Sequence, residues 1–275
     1  MPGTYRAGLK PSTVDKVAPS PFDGPPMAGH SHWSQIKRAK GAADVKRGQL
    51  FSKLSREITV AAKLGGGDAS FNPRLRTAIN TAKAESMPAD NIERAVKKGT
   101  GELEGVSYEE LIYEGYGPGG VALIIETLSD NKNRTAQQMR ALFTRGNGNL
   151  AATGAVGWMF KKKGYFRMDN ASEDQVLEAT LDANPEDITE HDGTVEVFCA
   201  PENYEAVEKA LKAAGLEPQT AKISLFPDNL TPVPDLETAK QVLELVETLE
   251  AHDDVQHVHT NVDISPELAR QLSAT

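Results

Sequence analysis

The apolar residues change period once along the chain. Between Val45 and Gly99 they recur every three or four positions, whereas from Val121 onward short strand-like runs alternate with helical ones. A chain with that switch folds as a helical bundle followed by α+β units. Phe51, Leu54, Ile58 and Ala62 form one stripe of a helix over residues 45–64, stopped by Gly65-Gly66-Gly67. Asn72-Pro73 is a capped helix start, followed by the stripe Leu75, Ala78, Ile79 and Ala82. Pro88 opens another helix with Ile92, Ala95 and Val96, ended by Gly99. A short basic helix, Trp33 to Ala43, precedes these three.

Downstream, Gly115 to Gly120 reads as a tight turn into the buried strand Val121–Ile125. A phosphate-cradling glycine loop follows a strand and opens a helix, so this is not one. A helix then passes through Met139 and Phe143, Arg145 to Leu150 is a flexible polar loop, and Ala155 to Phe160 is a strand before Lys161-Lys162-Lys163. Tyr165–Met168, Glu173–Asp182, Ile188–Glu190, Thr194–Cys199, Tyr204–Ala214 and Ala221–Phe226 have the order βαββαβ, a ferredoxin-like unit. His191-Asp192-Gly193 is its hairpin turn. The helix Leu236–Ala251 and strand Val255–Val262 would complete a sheet begun by Val121–Leu128 and Ala155–Phe160. The expected fold is therefore α+β. A disordered leader (1–26) and a basic helical domain (27–100) precede an α+β domain (101–163 plus 230–275). The ferredoxin-like domain (164–229) is inserted in it.

Charge divides along the same lines. The 275 residues carry a net charge of -9. Residues 27–100 hold 14 basic and six acidic side chains, a net +8, whereas residues 101–275 hold 13 and 31, a net -18. Such asymmetry points to a polyanionic partner, or to attraction between the two segments themselves. The leader carries six prolines and no apolar run of signal-peptide length, and Met27 follows it. Cys199 is alone, which excludes an internal disulfide and fits a reducing, cytoplasmic home. No apolar run is long enough to span a membrane.

The cations lie off the apolar stripes. Lys37, Arg38, Lys40, Lys46 and Arg47 come from the first helix and the turn after it. Lys53 and Arg56 lie on the second helix, with Lys63 near its end. Arg74 and Arg76 start the third; Arg94, Lys97 and Lys98 lie on the fourth. Such a distributed surface suits a phosphate backbone, with affinity falling steeply as salt rises. Trp33 either stacks on a base or caps the bundle core. The turn Asp130 to Arg134 is a second candidate. Asn131, Asn133 and Arg134, with Asn149 nearby, either meet an anion or simply cap the helix.

No nucleophile elbow, Cys-His pair or His-Glu-x-x-His motif is present. His30-x-His32 and His257-x-His259 are metal-like pairs, and two imidazoles alone make a weak site. A nuclease would need carboxylates clustered around Mg²⁺, and the six acids of the basic segment include no adjacent pair. No catalytic residue, cofactor, metal or small-molecule substrate is expected.

Met27 to Trp33 with Ile36-Lys37, Lys46-Arg47-Gly48, Leu64 to Asp68, Asn72 to Arg76, Met87-Pro88, Tyr113 to Val121 and Thr127 to Arg134 together resemble the YebC/PmpR family. The likeness runs from Met27 to about Ile264. It implies a helical N-terminal domain followed by two α+β domains, one inserted in the other. It also implies a DNA-binding transcription regulator. The alternative is a ribosome-associated translation factor that contacts ribosomal RNA and ribosomal proteins. The mitochondrial translational activator of cytochrome c oxidase subunit I is a relative of that kind. His32 stands where the family usually has Lys, and Asn147 where it usually has Gly.

Overall fold

Residues 47–191 and 193–273 are described by the computed structural model. Three helices come first: α1 (Arg47–Gly65), α2 (Pro73–Ala84) and α3 (Ala89–Thr100). Leu54, Ile58, Ala61 and Ala62 of α1 bury against Leu75, Ala78 and Ala82 of α2 and Ile92 and Ala95 of α3. Asn72 fixes the α1–α2 corner. Its buried side chain accepts from the Leu75 amide (3.0 Å) and donates to the Ala61 and Gly66 carbonyls (2.8 Å each). One residue thus caps the start of α2 and ties down the end of α1.

Gly99 does not end α3. The helix runs to Thr100, and the left-handed cap is Gly101 (φ 83°). A Cβ at Gly99 would collide with the Thr59 carbonyl oxygen and Ala62, so this glycine lets α1 and α3 approach.

The first sheet has the antiparallel order β3-β1-β2-β9, from β1 (Glu109–Tyr116), β2 (Ala122–Ser129), β3 (Asn149–Leu150) and β9 (Val255–Thr260). β1 was not expected as a strand. The turn at Gly117 to Val121 joins it to β2, with Gly119 and Gly120 at φ 70° and 75°. Helices α4 (Lys132–Arg145) and α7 (Leu236–Glu250) cover one face of this sheet. Leu123, Ile125, Met139, Phe143, Leu245 and Leu249 lie in the core between them.

Ala155 to Phe160 is not a strand of that sheet. A short turn occupies Gly157–Met159, and Phe160 begins β4 (Phe160–Met168) of a second sheet. The cause is Glu114. Its buried carboxylate accepts the backbone amides of Gly154, Val156 and Gly157, each at 2.7 Å, and winds the segment around itself. Burial alone would raise this carboxyl, and the three amides hold it below its ordinary value.

The second sheet has the antiparallel order β5-β6-β4-β7, with β5 (Asp187–His191), β6 (Thr194–Cys199) and β7 (Thr220–Pro227). Helices α5 (Glu173–Thr180) and α6 (Tyr204–Ala213) pack on one side. This is the ferredoxin-like arrangement, and the chain enters and leaves it between elements of the first α+β unit. Short strands β8 (Thr231–Pro232) and β10 (Val262–Asp263) pair in parallel, and α8 (Pro266–Ser273) closes the described chain. Cys199 sits in the ferredoxin-like core, where burial pushes its thiol up to about 11. No described helix is long and apolar enough to cross a membrane.

Candidate nucleic-acid interface

Trp33, Lys37, Arg38, Lys40 and Lys46 lie outside the described residues. Arg47 is the first residue of α1. The remaining expected contacts divide into two groups.

One group faces the α+β domain. Lys53 Nζ donates to the carbonyl of Glu250, the last residue of α7, at 2.5 Å. There a cation also meets the negative end of the helix dipole. Arg56 donates to the Asp253 carbonyl (2.5 Å) and to Asp254 Oδ1 (2.8 Å), and its guanidinium lies 5.5 Å from the centre of the Tyr108 ring. Arg74 bridges Glu57 (2.8 Å) and Glu110 (2.5 Å), which raises its pKa further.

Arg134, expected in the second contact loop, joins the same joint. Its guanidinium contacts Asp254 Oδ2 at 2.9 Å and Asp130 at 2.6 Å. Asp254 is buried, and the Thr135 hydroxyl also donates to its Oδ2 at 2.7 Å. Burial alone would raise the Asp254 carboxyl. The Thr135 and Arg134 hydrogen bonds and the charges of Arg56 and Arg134 hold it below its ordinary value. One carboxylate therefore gathers two of the cations assigned to nucleic acid and pins α1 to the first sheet.

Asn131 is the N-cap of α4, its side chain accepting from the Arg134 amide at 3.1 Å. The turn therefore does hold a helix cap. Asn133 and Asn149 are exposed. The Arg145 to Leu150 loop is packed rather than flexible. A Cβ on Gly146 would lie 2.7 Å from Leu245, and one on Gly148 2.7 Å from the Tyr116 carbonyl. Asn147 takes the left-handed conformation (φ 54°), which asparagine tolerates.

The other group points outward. Arg76, Arg94 and Lys98 are exposed and form no ion pair with a described residue, and Lys83 of α2, which was not singled out, shares that state. Arg76 instead donates to the Ala69 and Ser70 carbonyls at 3.2 and 3.4 Å. Lys97 pairs with Glu93 one turn earlier (2.5 Å). Arg94 and Lys98 line an open groove of about 770 Å³, together with Arg56 of the first group, Phe51, Glu104 and Tyr108.

The run Lys161-Lys162-Lys163 is not a free basic patch. Lys161 pairs with Asp228 (3.0 Å) and Lys163 with Glu186 (3.1 Å). His257 and His259 do share a face of β9, with ring centres 6.1 Å apart and His259 beside Glu126 at 3.5 Å. Among the described residues no group of three side chains is placed to hold a metal.

A basic helical bundle pinned to an α+β pair, with a ferredoxin-like unit inserted, defines a multi-domain α+β class. Two family models match the chain: the TACO1/YebC protein N-terminal domain over residues 31–102, and the TACO1/YebC second and third domain over residues 108–262. The chain belongs to the TACO1/YebC family. A probable transcriptional regulatory protein of Desulfotalea psychrophila is 51% identical over 249 residues, covering 90% of this chain and all of that one. One of Fusobacterium nucleatum is 52% identical over 248 residues, with the same coverage. A crystal structure of a conserved hypothetical protein from Aquifex aeolicus is similar with a TM-score of 0.75 and 45% identity. It covers 85% of this chain and 97% of that one.

Proposed function

We propose that this protein is a non-enzymatic transcriptional regulator that binds DNA through its basic helical domain, residues 27–100. The observation that carries this reading is the outward set of Arg76, Lys83, Arg94 and Lys98. In a chain of net charge -9, these four exposed cations of one small domain pair with no carboxylate among the described residues. Unpaired surface cations on one domain attract phosphate without sequence preference. The relatives' names support regulation as the role.

A second reading assigns the same surface to ribosomal RNA in a ribosome-associated translation factor. Phe71 favours it, being 85% exposed beside Arg76's turn. Sequence-specific RNA recognition works largely by stacking unpaired bases on aromatic rings.

Crosslinking in cells, followed by sequencing of both bound DNA and bound RNA, separates the two. Enrichment of promoter DNA supports the regulator; enrichment of ribosomal RNA alone contradicts it. In vitro, replacing Lys37, Arg38 and Lys40 together by Ala is expected to weaken binding to every sequence and flatten its salt dependence. Unchanged affinity would move the surface away from those residues.

A further inference from the structure

Among the three described helices of the bundle, α2 alone has no acidic residue: Pro73–Ala84 reads PRLRTAINTAKA. Its inner face is Leu75, Ala78 and Ala82, all buried. Arg76, Asn80 and Lys83 recur at helical spacing on the opposite side, with Thr77 and Thr81 beside them, and all five are exposed. Arg74, the third cation, turns away to Glu57 and Glu110 and leaves this outer face to Arg76 and Lys83.

At the head of that face stands Phe71. It is 85% exposed, more than any other large apolar side chain described. It adds almost nothing to the core, yet it is rigidly presented. The next residue, Asn72, is buried and holds three backbone groups of the α1–α2 corner. Arg76 clasps the same turn through the Ala69 and Ser70 carbonyls, which brings its charge to the backbone beside the ring. Gly65 leaves room for the Asn72 side chain, since a Cβ there would lie 2.6 Å from it. An exposed aromatic next to cations that no described carboxylate neutralises is the pattern of a base-stacking platform.

We propose that the outer face of α2, with Phe71 at its head, is the surface that seats nucleic acid. An unpaired base stacks on Phe71, phosphates lie against Arg76 and Lys83, and Thr77, Asn80 and Thr81 supply hydrogen bonds. This rests on the nucleic-acid reading above and deepens it. The preferred ligand carries unpaired bases, and α2 rather than α3 makes the closest contact. Arg76 and Lys83 lie about 10 Å apart along the helix axis, a reach suited to one backbone strand.

The test measures binding of the full chain to a 20-nucleotide single-stranded DNA, the same sequence as RNA, and the corresponding RNA duplex, over a salt series. Phe71→Ala is expected to weaken both single-stranded probes about tenfold, leave the duplex unchanged and leave thermal unfolding unchanged. Phe71→Tyr should restore the loss. Arg76→Gln with Lys83→Gln should lower the salt slope for every probe by about two phosphates. Single-strand DNA and RNA responding alike identifies the shared base and phosphate chemistry; RNA responding alone assigns the surface to RNA. Wild-type protein that binds no probe overturns the functional reading and this inference together. Wild-type binding that survives the α2 variants but is lost in Arg94→Gln/Lys98→Gln overturns this inference alone.

Discussion

The helical bundle carries two sets of cations, and only their surroundings distinguish them. On the inner side Lys53, Arg56 and Arg74 meet the Glu250 carbonyl, Asp254, Glu57 and Glu110. On the outer side Arg76, Lys83, Arg94 and Lys98 have no carboxylate partner among the described residues. Residue type alone does not tell the seven apart, and the sequence assigns all but Lys83 to a polyanion. The acidic remainder takes up the inner three and leaves the other four as the set proposed to meet a partner, although Arg94 and Lys98 share a groove with Arg56. Arg134 follows the inner rule although it comes from the other domain.

The largest expected effect breaks the inner side. Asp254→Ala leaves Arg56 and Arg134 without their shared carboxylate, and urea unfolding should show a loss of roughly 2–3 kcal/mol. That is less than for a fully buried pair, because the Arg134 side chain is 43% exposed. Asp254→Asn should lose less. A loss no larger than a surface substitution gives, within about 0.5 kcal/mol, would show that the joint is not a structural element. Nucleic-acid affinity of either variant should stay level or rise, since two cations are released.

Asn72→Ala follows. It removes one cap and two donors from the α1–α2 corner, a cost of about 2 kcal/mol in thermal or urea unfolding. If Phe71 depends on that corner for its fixed position, single-strand binding should fall in the same variant.

A smaller effect is expected in acid. The Asp254 carboxyl is held below its ordinary value in the folded protein. Its contribution is therefore present above the unfolded carboxylate pKa, about 3.9, and is lost as pH falls through the lower folded value. Thermal unfolding of the wild type should drop more steeply below about pH 4 than that of Asp254→Asn. Parallel curves would remove Asp254 from the account. The smallest effect is that of Arg74→Gln: its pairs are half exposed, so stability should change by less than about 1 kcal/mol and the salt slope of binding not at all.

How far these sides could be read in advance depended on where the deciding partner lies. Asn72-Pro73, Pro88 and the apolar stripes are local signals, and α1 to α3 follow from them to within a few residues. The βαββαβ unit was equally local. β1 escaped because Glu109, Glu110 and Glu114 break its apolar pattern, although Glu114 turns inward to collect three amides. Those amides in turn unmade the strand that Ala155 to Phe160 suggested. The cations were legible as cations, but Asp254 stands 198 residues from Arg56, and no local pattern announces such a pair. Phe71 had a signal that went unused: a large aromatic directly before a helix cap and off every apolar stripe.

The most direct test of the two-sided account is the salt dependence of nucleic-acid affinity for two sets of variants. With Arg76, Lys83, Arg94 and Lys98 all replaced by Gln, the slope of log affinity against log salt should fall by about three to four units. With Lys53, Arg56 and Arg74 replaced by Gln, stability should fall while the slope is kept. Equal loss of slope in both sets, or a slope that survives in the outer set, would contradict the assignment of the outer face to nucleic acid.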